Sequence, residues 1–205
     1  MDRILTILKQ NQLLSKGVEW VLKNSKSNTL PYHNFNHLLT VVKHCYYASI
    51  HHGLLVDEAL ELLLAALFHD VNHSGGEKPD SENIEMSKDA LRQFLSENDF
   101  YVDVEEVCNI INSTQYPYVM ETEELSLKQS IIRDCDLMQV LEDNWIQQNM
   151  IGLSEELSIS MEDMINGQTK FLDSVSFITD YGKKHNEELD VAKSSLKLLK
   201  EIYGG

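Results

Sequence analysis

The sequence predicts an all-α fold in a single domain spanning residues 1–205. Three observations carry that expectation. Apolar residues recur at three- and four-residue steps in nearly every segment. Only three prolines and nine glycines punctuate the 205 residues, so the elements can be long. No segment alternates apolar and polar residues in the manner of a half-buried strand. With 42% hydrophobic residues, a chain of this length can bury a sizeable core.

Taken in order, the first apolar run is RILTILKQNQLLSKGVEWVLKN, which sets Ile4, Leu5, Leu8, Val18, Val21 and Leu22 on helical steps. A polar tract and the stretch PYHNFNH lead into NHLLTVVKHCYYASIHHG, a helix expected from about Asn36 to a stop at Gly53. VDEALELLLAALFHD is apolar almost all round between Leu62 and Phe68, the mark of a helix buried at the centre of a bundle. VNHSGGEKPDS is the clearest loop. SENIEMSKDALRQFLSEN, VEEVCNIINSTQ and SLKQSIIRDCDLMQVLEDN read as further amphipathic helices. SISMEDMINGQTKFLDSVSFI opens with Ser160 three residues before Asp163, a capping-box pattern. NEELDVAKSSLKLLKEIYGG closes the chain with a helix stopping at Gly204. The expected total is about eight or nine helices.

The formal charge of −16 argues against a nucleic-acid polymer as partner, because no basic stripe is available to displace counterions. It would also repel a phosphate ligand unless a bound divalent cation reversed the local field. Cys45, Cys108 and Cys135 are scattered, form no CxxC pair and read as small core residues. The N-terminus lacks the basic-then-apolar order of a signal peptide. No apolar run approaches the ~20 residues of a membrane span. A soluble, cytoplasmic protein is expected.

Three segments concentrate chemistry. PYHNFNH carries His33 and His37, four residues apart. FHDVNH places the vicinal pair His69 and Asp70 at the end of the most apolar helix, with His73 following. If that helix continued to His73, the two imidazoles would share a face. IIRDCDLMQV holds Asp134 and Asp136 among core-type residues. Asp136, flanked by apolar residues, is expected to face inward. Asp134, beside Arg133, reads as a surface or supporting residue and as the substitute ligand. A buried carboxylate needs a cation, a hydrogen-bond network or solvent. His37, His69, Asp70 and Asp136 mix imidazole and carboxylate donors in a way that suits Zn, Mn, Fe or Mg. Helical bundles build metal sites from inward side chains of facing helices.

The order His, His-Asp, Asp on an all-α chain resembles the HD superfamily of metal-dependent phosphohydrolases. Within it, YHNFNH and HDVNHSG are similar to two motifs of the cyclic nucleotide phosphodiesterase catalytic domain, with Asn72 where that family usually has aspartate. CDLMQ matches its Asp-Leu segment and GQTKFLDSV its Gln-x-x-Phe-Ile segment. The four islands span Tyr32 to Val175 in a chain shorter than a typical phosphodiesterase domain.

The resemblance implies a single HD-domain bundle with His37, His69, Asp70 and Asp136 as metal ligands. Two divalent cations would share Asp70 and a bridging water whose pKa falls toward neutral. His33 would be the general acid, and His73 would steady the nucleophile, the phosphate or the second metal. Tyr32, Asn34, Gln168 and Phe171 would contact substrate, the last two at a nucleotide base. The implied activity is hydrolysis of a 3′,5′-cyclic nucleotide; the alternative is a nucleoside monophosphate or another small phosphate ester. Two further classes compete. A di-iron oxygenase on the same scaffold asks for more histidines after the His-Asp pair, and SENIEMSKDALRQFL has none. A metal-stabilised interaction module would need neither His33 nor His73. His44, His51, His52 and His185 read as core, helix-end or surface residues, and TQYPY as a segment at the pocket rim.

Overall fold

The computed structural model describes residues 2–203, so the expected stop at Gly204 lies outside the described residues. Among them are eleven α-helices and no strand. The first apolar run is broken by Asn11 into α1 (Asp2–Gln10) and α2 (Gln12–Asn24). Asn11 is extended (φ −109°, ψ 124°), and its side chain accepts the Leu14 N–H at 3.2 Å, which caps α2. A short 3₁₀ turn at Lys26–Thr29 leads to α3 (Phe35–His52). Gly53 ends α3 in the left-handed region (φ 65°).

Helix α4 (Val56–Phe68) begins where Glu58 accepts the Leu55 N–H at 2.8 Å. All of Leu62–Phe68 are buried. That is possible because α4 packs against α2, α3 and three helices that follow it: α5 (Asp80–Ser96), α6 (Val104–Asn112) and α7 (Leu127–Leu137). Each large side chain buried there contributes about 1.5–3 kcal/mol. Helix α7 is capped reciprocally by Ser126 and Gln129 and runs into a 3₁₀ turn at Met138–Leu141.

The segment between α7 and α9, for which periodicity predicts no element, is also helical. A π-helical stretch, Ile146–Gly152, continues into α8 (Leu153–Leu157). Helix α9 (Met161–Ser174) starts with Ser160 Oγ accepting the Asp163 N–H at 3.1 Å. The four-residue α10 (Asp180–Lys183) and the terminal α11 (Asn186–Tyr203) complete the chain. One cluster of buried apolar side chains extends from Ile4 to Leu196. Cys45, Cys108 and Cys135 are buried within it as free thiols. No helix among the described residues is long and apolar enough to cross a membrane.

Helices α3, α4 and α7 pack on one another. Their meeting point brings together the start of α3, the end of α4 and the end of α7.

Candidate metal centre

Local structure delivers each side chain to that junction. Asn34 caps α3: its Oδ1 accepts the Asn36 N–H at 2.9 Å, and its amide donates to the Leu30 and Pro31 carbonyls at 2.9 and 3.0 Å. His37 follows in the first turn of the helix, buried. Helix α4 does not continue to His73. It stops at Phe68, and the chain turns tightly, with the Val71 N–H on the Phe68 carbonyl and the His73 N–H on the Asp70 carbonyl, both 3.1 Å. Asn72 takes the left-handed conformation (φ 65°) that this turn needs. Its Oδ1 accepts the Lys26 N–H at 2.9 Å. The turn lets vicinal His69 and Asp70 reach one point. Asp136 comes from the last turn of α7.

His37 Nε2 lies 3.2 Å from Asp70 Oδ2 and 3.1 Å from Asp136 Oδ1. His69 Nε2 lies 3.1 Å from Asp70 Oδ2 and 3.6 Å from Asp136 Oδ1. The two Nε2 atoms are 3.3 Å apart. The other ring nitrogens are held from behind. His37 Nδ1 faces Gln139 Oε1 at 3.3 Å, and His69 Nδ1 faces the Ala66 carbonyl at 2.9 Å. These partners orient both rings with Nε2 toward the junction, as carbonyl oxygens do behind metal-ligating histidines. Gln139 stands in the CDLMQ segment, but nothing in the sequence assigns it this task.

The electrostatics favour a cation. Burial pulls the His37 imidazolium down, but the Asp136 and Asp70 carboxylates outweigh burial and push the ring up to about 9. His69 is raised well above the ordinary histidine value by the same carboxylates, against burial. Burial raises Asp70 and Asp136, yet the facing imidazoles hold both well below the usual carboxylate range. Two inward imidazole nitrogens and two carboxylates therefore form a cradle that binds protons strongly and turns net negative when the imidazoles give theirs up to a metal. The ligand atoms of His37, His69 and Asp70 lie within 4.8 Å of one another. This donor set fits a divalent cation of the Zn, Mn, Fe or Mg kind.

Asp134 does something else. It is fully buried, not at the surface. Its Oδ1 accepts the Ile178 N–H at 2.8 Å, and its Oδ2 accepts the Thr179 N–H at 2.8 Å and the Thr179 hydroxyl at 2.6 Å. Two residues along a helix turn by about 200°, so Asp134 and Asp136 point to opposite sides. Burial raises the Asp134 carboxyl despite those three donors.

A second group adjoins the first. His33 Nδ1 pairs with Glu156, whose side chain is fully buried. Glu156 Oε2 also accepts the Tyr32 and His33 N–H groups, at 3.0 and 3.1 Å. Burial raises Glu156, but His33 and these two backbone donors bring it below the ordinary value. The His73 ring stacks on His33 with centroids 3.6 Å apart. Its Nδ1 accepts the Gly75 N–H at 3.1 Å, and its Nε2 lies 3.0 Å from Asn83 Nδ2. Gly75 has φ 67°, and a β-carbon there would press on Leu30 and Glu156. Glu156 carries no signal in the sequence: it is 123 positions from His33 and sits in a short helix without clear periodicity.

Two recesses meet over these residues. The smaller, about 110 Å³, is lined by His37, Asp70 and Asp136 together with Tyr32, His33 and Tyr116. The larger, about 610 Å³, is lined by Tyr32, His33 and Tyr116 again, and by Gln168, Phe171 and Asn149. That volume suits a small organic ligand. Phe171 meets Tyr116 edge-on at 5.2 Å. Of the expected substrate contacts, Tyr32, Gln168 and Phe171 line the larger cavity. Asn34 lines neither, because both ends of its amide are used in the α3 cap. His44 is likewise elsewhere, donating its Nε2 proton to Glu142 at 2.8 Å. Buried Asn149, whose Oδ1 has no partner, is a wall residue the sequence does not announce.

The family model for the HD domain matches residues 34–141. The matched span contains His37, His69, Asp70, His73 and Asp136. His33, Glu156, Gln168 and Phe171 lie outside it. No curated protein matches the chain.

Proposed function

The chain belongs to the HD domain family, a family of metal-dependent phosphohydrolases, and from that premise we propose that it hydrolyses a nucleotide phosphodiester, a 3′,5′-cyclic nucleotide above all. The observation that carries this reading is the position of His33. It lies on the wall common to the recess of His37, Asp70 and Asp136 and to the 610 Å³ cavity of Gln168 and Phe171. A phosphate at the smaller recess and a base in the larger cavity would put the scissile ester beside His33.

In this reading His37, His69, Asp70 and Asp136 would hold a divalent cation, and a second would share Asp70. A bound cation supplies Lewis acidity toward phosphorus and lowers the pKa of water near it. The chain's own residues do the rest. Glu156 takes the Nδ1 side of His33 and fixes the ring. The opposite nitrogen is then free to give a proton to the leaving ribose oxygen, which leaves poorly as an alkoxide. His73, stacked on His33, limits the ring's rotation. Phe171 and Tyr116 offer aromatic faces to a base, and Gln168 and Asn149 offer amide groups to its edge. The chain folds in this reading as one domain over 1–205, which the continuous apolar cluster supports, and acts in the cytoplasm, where its nucleotide substrate would be found.

The test is elemental analysis of the purified protein together with a nucleotide panel in Mn, Mg or Zn. Conversion of cyclic AMP or cyclic GMP to the 5′-monophosphate is expected, and Glu156→Gln should lower kcat about tenfold or more without loss of metal. Phosphate release from nucleoside monophosphates, with cyclic substrates untouched, would assign the site to monoester hydrolysis instead.

A further inference from the structure

A third cavity, of about 340 Å³, adjoins the larger nucleotide-sized cavity and shares Tyr116 and Ser174 with it. Its walls include Tyr118, Arg133, Phe177 and Lys183. Arg133 is only 3% exposed. Its Nε donates to the Ser113 carbonyl at 2.6 Å and its Nη1 to the Met120 carbonyl at 3.1 Å. The guanidinium lies over the Tyr118 ring, 4.2 Å from its centroid. Its remaining terminal nitrogen, Nη2, is buried and has no hydrogen-bond partner.

No carboxylate forms an ion pair with this guanidinium among the described residues. Asp134 stands in the same wall, but its oxygens already accept three hydrogen bonds from Ile178 and Thr179. A buried cation with an unmet donor is costly unless something pairs with it. Lys183, at the end of α10, adds a second cation to the wall and likewise has no ion pair among the described residues. Lys183 is exposed and feels the Asp134 carboxylate, and Arg133 feels that of Glu121, but no carboxylate bonds either one, and the buried Nη2 of Arg133 is the donor left unmet.

We propose that this cavity is an anion-binding subsite in which Arg133 and Lys183 hold a phosphate or carboxylate group of a small molecule. It stands apart from the His37–Asp136 cradle and does not depend on the hydrolase reading. The anionic group has two possible sources. It is the distal end of a substrate that passes Tyr116 and Ser174, or it belongs to a separate metabolite that acts as an effector.

The experiment uses the full chain with metal removed by a chelator and inorganic phosphate as the probe. The Arg133 Nε–H, protected by its bond to Ser113, is followed by proton–nitrogen NMR while phosphate is added. A saturable shift is expected, with affinity about fivefold weaker in Lys183→Gln, the loss of about 1 kcal/mol from one exposed charged contact. Because metal and turnover are absent, this outcome is independent of the proposed activity. An Arg133 signal indifferent to phosphate, or an equal response in Lys183→Gln and wild type, overturns the proposal. Arg133→Lys, which keeps the charge but not the fork, should weaken binding further; Lys183→Gln carries the test if that variant does not fold. On the metal-loaded protein, a KM that rises in Lys183→Gln only for nucleotides bearing a second phosphate supports the substrate-end source. A non-competitive phosphate effect on turnover that disappears in Lys183→Gln supports the effector source.

Discussion

His33 and His37 stand four residues apart, yet different neighbours surround them. His37 Nε2 faces Asp70 and Asp136, whereas His33 Nδ1 faces Glu156. Substituting them should therefore have separable effects. His37→Ala is expected to lower metal occupancy by tenfold or more, read by elemental analysis after dialysis, because it takes away one of the inward ring nitrogens. His33→Ala is expected to retain metal and to lose about 10²–10⁴-fold in kcat on a nucleotide substrate. A purely structural metal site would show the first effect and not the second. The sequence separates Asp136 from Asp134 by the apolar neighbours of Asp136, but it misreads Asp134 as a surface or supporting residue. Periodicity reports burial, and both carboxylates lie in the protein. They differ in exposure and in partners: the Asp136 side chain is 29% exposed and Asp134 is fully buried, and the partners of Asp134, Ile178 and Thr179, are more than forty positions away.

Helix α7 shows how one element serves two purposes. Its Asp136 side faces His37 and His69, and its Asp134 side anchors the segment that begins α10. Gly182 completes that anchor: a β-carbon there would strike the Asp134 carboxylate and the Phe177 side chain. Gly182→Ala should destabilise the fold by about 1–3 kcal/mol, measured by urea unfolding. A Gly167→Ala control, where a β-carbon meets nothing within 4 Å, should be neutral or slightly stabilising. Helix α4 makes a related point. Its apolar content marks it as central, and it is packed by five other helices. Where it ends is a different matter. The HDVNH segment reads equally well as a last helical turn or as a loop, and the left-handed backbone of Asn72 decides for a turn.

Across the protein, part of the acidic charge is paired locally. Glu142 shows this most clearly, with His44 Nε2 at 2.8 Å and Lys43 Nζ at 2.5 Å. The His44 hydrogen bond, helped by Lys43 and opposed by burial, lowers Glu142 to about 2. Its folded pKa lies below the unfolded value, so the unfolded chain binds more protons between the two. The stability it contributes is present above about pH 4.5 and is lost as pH falls toward 2. Glu142→Gln should remove about 1–2 kcal/mol of that acid-side loss, seen as a shallower fall of urea stability between pH 5 and 2. His44 itself is lowered by burial, which fits a neutral ring donating to Glu142. A metal held at the junction of α3, α4 and α7, as proposed, would act on the protein as a whole. At a hundred times its Kd, a cation that binds only the folded state adds about 2.7 kcal/mol. That should raise Tm by about 5–10 °C in a chain of this size, and His37→Ala should abolish the rise.

The amino-acid sequence alone determined that the chain is helical, which helix lies at the centre, and which four side chains form the metal-ligand candidates. Those properties are local: periodicity, a vicinal His-Asp pair and an aspartate among apolar neighbours are legible within a few positions. The Glu156 partner of His33, the Gln139 support of His37, the capping use of Asn34 and the unpaired guanidinium of Arg133 required the folded chain. Each depends on a contact or cavity assembled by distant segments, and a sequence without its packing carries no record of which polar atoms meet.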